Sequence, residues 1–215
     1  MTTKTNTGVQ SRRLAEQETF SNLLSIAMTN QQSLAFWRLP GSETKHAILS
    51  NQVVTLAPDA TLEDLATGFI VAPFDKLKGR LFLEGDYVFN FSNNSLADPK
   101  NSKEESSVLW LLDQIKSPLP PFTLSHRELG HQEDATKASF CGLVMKCLEE
   151  IRSGHYEKLV PSRSKAIGIR KDFDVVQAYY SLCIANPNAF VSLINIPTVG
   201  TWIGASPEIL VGVEN

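Results

Sequence analysis

Several function classes are excluded by what this chain has little of. Only three cysteines, Cys141, Cys147 and Cys183, occur among its 215 residues, and their spacing matches no metal motif. They read as small apolar filler, and unpaired thiols suit a reducing cytoplasm, the expected location. The four histidines are scattered and read as surface residues rather than ligands. No run approaches the ~18 apolar residues of a membrane span, so none is expected. The first stretch, Met1 to Arg13, is polar and lacks the apolar core of a secretory signal. A basic excess is missing too: 20 Lys and Arg stand against 23 Asp and Glu, for a net charge of −3. The short basic runs carry no interleaved aromatics, which argues against a nucleic-acid partner.

What remains is ordinary globular material, 42% apolar and 20% charged, able to bury a core. Residues 1–13 read as a disordered leader. From Leu14 to Thr29 the apolar positions Leu14, Phe20, Leu23, Leu24 and Ala27 recur at helical intervals. Strands are expected at Ser33 to Leu39, His46 to Leu56, Gly68 to Phe74 and Arg80 to Phe91, with turn chemistry at Pro58-Asp59, Lys78-Gly79 and Gly85-Asp86. Residues 14–92 thus form an N-terminal α/β layer. Residues 93–134, polar and proline-rich, read as a mobile connection with one short helix at Val108 to Ile115.

Residues 135–215 are expected to start a more regular core. Phe140, Val144, Cys147, Leu148 and Ile151 make one apolar stripe on a helix that Gly154 terminates. A strand follows from Lys158 to Ile167. A second helix runs from the N-cap Asp174 to Ala185 and stops at Asn186-Pro187. Strands at Ala189 to Ile196, Thr201 to Ala205 and Glu208 to Val213 close the list. The fold class is α+β, with largely antiparallel sheets flanked by helices. A chain ending within a strand leaves an open edge, which predicts either a dimer through exposed sheet edges or a further segment.

Two charges stand in apolar surroundings. Lys158 lies in His155-Tyr156-Glu157-Lys158-Leu159-Val160-Pro161-Ser162-Arg163, and Glu208 follows the corner Gly204-Ala205-Ser206-Pro207. Singly, a lysine at a strand start is ordinarily a snorkelling surface residue, and a Ser-Pro-Glu corner is ordinarily a turn. Together they suit an acid/base pair on a small substrate. Phe36, Trp37 and Arg38 read either as the lining of a pocket or, more simply, as packed aromatics and a surface arginine.

In these segments the chain resembles the chorismate-utilising enzymes, which include isochorismate, salicylate, anthranilate and aminodeoxychorismate synthases. Trp202-Ile203-Gly204-Ala205-Ser206-Pro207-Glu208-Ile209-Leu210 is similar to that family's Gly-Ala-Ser-Pro-Glu corner. Ile151-Arg152-Ser153-Gly154 followed by Lys158 to Arg163 is similar to its Lys-bearing segment, and the interval agrees. Gly68-Phe69-Ile70-Val71-Ala72-Pro73-Phe74 resembles a stretch common in isochorismate synthases.

The resemblance implies a particular chemistry. The chain would be an incomplete, N-terminal half of the anthranilate synthase component I-like fold, inactive by itself. Chorismate is the implied substrate, with Lys158 as general base for water attacking C2 and Glu208 as general acid at the departing C4 hydroxyl. Gly204, Ala205, Ser206 and Arg163 would support the site, although a structural ion pair is the simpler role for Arg163. The resemblance also implies Mg²⁺, with ligands beyond residue 215. The ammonia-using relatives usually carry glutamine where Lys158 stands, which favours isochorismate as product, for a quinone or siderophore pathway. Salicylate synthases keep the lysine, and Pro161 is a residue seen in anthranilate enzymes, so those readings stay open. So does a non-catalytic binder of this length.

Overall fold

The chain is described by a computed structural model over residues 6–92, 95–96, 100–101, 111, 113–115 and 136–206. It divides into two compact units, one of Met1–Phe122 with Asp174–Asn215 and one of Thr123–Phe173.

The first unit begins with helix α1, Asn6–Thr29. Its start at Asn6 makes residues 6–13, expected as a disordered leader, helical. Phe20, Leu23, Leu24 and Ala27 recur on one side of the helix, and all four are buried as the spacing predicts. Strands β1 (Ser33–Arg38), β2 (Lys45–Ser50), β3 (Val53–Leu56), β4 (Gly68–Val71), β5 (Arg80–Glu84) and β6 (Tyr87–Ser92) follow. The single strand expected over His46 to Leu56 is two, and so is that over Arg80 to Phe91. The break at Asn51 is held from afar: Asp86 Oδ2 accepts the Asn51 N–H at 2.6 Å. The Ser50 hydroxyl donates to the Gln52 carbonyl at 2.7 Å, which turns the chain out of one sheet and into another.

Within the stretch 93–134, β7 (Ser95–Leu96) and β8 (Lys100–Asn101) pair with β6. Leu111 and residues 113–115 are helical, matching part of the expected short helix. The rest of that stretch lies outside the described residues.

The larger sheet has the order β10-β9-β1-β2-β6-β7, with β9 Phe190–Ile196 and β10 Gly200–Ser206. All its pairings are antiparallel. The smaller sheet, β3-β5-β4, is antiparallel as well. The architecture is α+β, as expected. Because β9 pairs directly with β1, the segment after Asp174 joins the N-terminal strands, which differs from the expected boundaries.

Each face of the larger sheet is covered differently. On one face lie α1 and a helix over Val175–Ala185, where Phe20 meets Phe36 at 4.1 Å, Phe91 at 4.5 Å and Tyr179 at 5.9 Å between ring centroids. Such ring pairs add ~0.5–1.5 kcal/mol each beyond burial. On the other face the smaller sheet packs: Ala35 and Ile196 meet Leu83, flanked by Trp37, Val53, Phe69 and Ile194. Within the smaller sheet Gly68 lets β4 lie close against β5, because a Cβ there would collide with the Phe82 ring and the Leu83 carbonyl.

The second unit is built on α2, Lys137–Arg152. Thr136 caps its start, its hydroxyl accepting from Ser139 N at 3.1 Å. Its end is a Schellman motif: His155 N donates to Glu150 O at 3.2 Å and Gly154 N to Ile151 O at 3.1 Å, with Gly154 at φ +82. Of the expected stripe, Phe140, Val144, Cys147 and Ile151 are half-buried and Leu148 is exposed; no α2 residue is fully buried. Cys141 is exposed, so it is not filler, whereas Cys183 is buried.

Helix α3, Val175–Ala185, starts at the expected N-cap Asp174, whose Oδ1 accepts from Gln177 N at 2.8 Å. Asn186-Pro187 ends it.

Candidate active site

The segment Gly204-Ala205-Ser206, expected to support the site, forms the end of β10, an edge strand among the described residues. Its register places Gly204 opposite Ser192, Ala205 opposite Val191 and Ser206 opposite Phe190. Val191 and Leu193 point to the core face, so Gly204 shares the opposite face with Trp202, Ser206 and Ser192. A Cβ at Gly204 would meet no atom within 4 Å. Packing within the described chain therefore does not require glycine there. The surroundings are less apolar than expected, since Trp202 is 63% exposed. Glu208 lies outside the described residues.

Lys158 and Arg163 belong to the second unit. The strand expected from Lys158 to Ile167 is absent: residues 158–170 are neither helical nor strand. A strand is stabilised by its ladder partner, and among the described residues none pairs with this segment. Lys158 is consequently exposed rather than embedded in a hydrophobic strand. Arg163 stacks its guanidinium over the Phe140 ring of α2, 5.6 Å from the centroid. That contact ties the irregular segment back onto the helix; an ion pair was the simpler expectation.

The register also builds a row that sequence reasoning missed. Gly204 faces Ser192, Ser192 faces Trp37, Trp37 faces His46, and His46 faces Asn90, across five adjacent strands. The Trp37 and His46 rings stack at 5.2 Å. His46 Nδ1 lies 2.6 Å from Asn90 Oδ1, so the proton on Nδ1 is donated to the amide oxygen. Phe69 closes one flank, 5.3 Å from Trp37 and 6.5 Å from Phe190. These side chains are half-buried. The face that carries this row is the one against which the smaller sheet packs, with Trp37 and Phe69 beside the Ala35, Leu83 and Ile196 cluster. Alternation along each strand is readable in sequence, but the row depends on cross-strand register.

The strongest pKa perturbations lie on the other face of this sheet. Burial, with the Glu16 charge adding to it, pushes the Tyr179 and Tyr180 hydroxyls far up. Burial also raises the Cys183 thiol. These groups are structural and stay neutral.

No cluster of three His, Cys, Asp or Glu side chains suited to a metal occurs among the described residues. The Mg²⁺ ligands that the resemblance implies are expected beyond residue 215. Among the described residues no helix is long and apolar enough to cross a membrane.

The chain belongs to the chorismate-binding enzymes, whose family model matches residues 15–215. That match includes β10 and the segment carrying Lys158, and its α+β architecture agrees with the fold. No curated protein and no solved structure matched the chain.

Proposed function

We propose that the reaction served by this chain is the conversion of chorismate to isochorismate. Family membership supports chorismate as the substrate class. The observation that carries the finer reading is the lysine at position 158, where a water nucleophile needs a base and an ammonia nucleophile does not.

Lys158 takes a proton from water as its oxygen bonds to C2 of the ring. The ring double bonds shift, the C4–O bond breaks, and Glu208 gives its proton to the departing hydroxide, which leaves as water. One water enters and one departs, so the net change is an isomerisation. Positioned proton transfers of this kind contribute ~10²–10⁴ in rate each. A lysine acts as a base near neutral pH only when burial lowers its pKa. Lys158 is exposed here, so covering the 158–163 segment in the working enzyme is a condition of the mechanism. Gly204, with open space beside it, leaves room for the substrate beside the strand that leads to Glu208.

Incubating the full-length gene product with chorismate and Mg²⁺, then separating products, tests the reading. Isochorismate alone is expected. Salicylate would identify a lyase acting on the isochorismate formed. Anthranilate made with ammonia, the outcome Pro161 favours, would overturn the assignment.

A further inference from the structure

Arg38, expected on the surface, is 5% exposed. Its guanidinium is held by backbone carbonyls from two corners of the fold. One terminal nitrogen donates to Pro187 O at 2.6 Å and to Ser42 O at 3.3 Å. The other donates to Asn186 O at 2.6 Å and to Ala189 O at 3.0 Å. Gly41 N adds a bond to Pro187 O at 3.0 Å. Asn186 is the C-cap of α3, so these carbonyls carry the negative end of a helix dipole, which suits a cation. The β1–β2 turn and the α3–β9 corner are thereby joined through one side chain.

The register shows what this junction controls. Arg38 is opposite Val191 in the β1–β9 pairing, and Val191 is opposite Ala205 in the β9–β10 pairing. Ala189, gripped by the guanidinium, immediately precedes Phe190, the partner of Ser206. Among the described residues β10 has a sheet neighbour on one side only, so its end is placed by the start of β9. We propose that Arg38 is a positioning residue: it fixes where β9 begins, and through β9 it fixes where β10 delivers Gly204-Ala205-Ser206. A planar fork with donors on two nitrogens spans four carbonyls; a lysine, with three donors on one atom, does not. The functional half of this inference rests on the reading of β10 as part of the active site.

Arg38→Lys and Arg38→Leu in the full-length protein test it, first by hydrogen exchange. Amides at 190–192 and 204–206 are expected to exchange about tenfold faster in both variants, with the β2–β6 ladder unchanged. Should Arg38→Leu not fold, Arg38→Lys carries the comparison. Unchanged protection at those amides, or equal acceleration in every strand, would overturn the clamp. The second readout is chorismate turnover: kcat is expected to fall about tenfold with KM within about twofold. Local loosening with unchanged kcat would remove the positioning role. If the wild type has no turnover of chorismate, the proposed function fails while the exchange result still decides the clamp.

Discussion

Tyr180 on α3 donates its phenolic hydrogen to Glu16 Oε1 on α1 at 2.6 Å, joining residues 164 positions apart. Lys45 Nζ of β2 stands 2.7 Å from the same oxygen, with the Glu16 side chain 1% exposed. Removing one partner of such a buried set leaves the others unpaired in low dielectric. Glu16→Ala is therefore expected to cost about 3 kcal/mol of stability, read as a lowered urea midpoint. Glu16→Gln keeps an acceptor for Tyr180 and should fall between the two. A midpoint unchanged in Glu16→Ala would show that the α1–α3 junction does not depend on this carboxylate.

The raised tyrosines make stability sensitive to alkali. Burial holds the Tyr179 and Tyr180 hydroxyls protonated in the folded chain, whereas exposed tyrosines release their protons near pH 10. Folded pKa values above the unfolded ones stabilise fully below pH ~10, and that contribution is lost as pH climbs further. Unfolding free energy should then fall with pH above ~10, and Tyr179→Phe should make the fall shallower by about 1.4 kcal/mol per pH unit. Identical slopes in wild type and variant would contradict it.

Gly204 separates packing from function. Since a Cβ there meets no atom within 4 Å, Gly204→Ala should leave the unfolding free energy unchanged or slightly raised, by at most ~1 kcal/mol. Chorismate turnover should nonetheless drop by about tenfold or more, because substrate needs that space. Equal turnover would mean that the glycine has no part in the site.

The acid/base pair makes the sharpest kinetic prediction. Lys158→Ala and Glu208→Ala in the full-length enzyme should each reduce kcat by at least ~10². Rates within a few-fold of wild type would remove the substituted residue from the mechanism.

The local elements were legible because each rests on neighbours in sequence. The α1 stripe through Phe20 and Leu24, the Asp174 cap and the Gly154 terminator all formed where their spacing placed them. Contacts distant in sequence were not legible. The corner at Asn51 depends on Asp86, so an apolar run through it read as one strand when it serves two sheets. A strand was expected from Lys158, but a strand needs a ladder partner, and no described strand pairs with that segment. Arg38 read as a surface cation because its four carbonyl partners come from two corners, one of them almost 150 residues later. The strand expected over Thr201 to Ala205 formed, and β10 extends it to Gly200 and to Ser206, which was expected in the corner; the row from Ser192 to Asn90 follows only from register.

The central claim is that water is the nucleophile, and oxygen labelling tests it most directly. Chorismate turned over by the full-length enzyme in ¹⁸O-water should give isochorismate carrying one heavy oxygen, bonded at C2. Unlabelled isochorismate, its C2 oxygen carried over from C4 within the ring, would contradict the account.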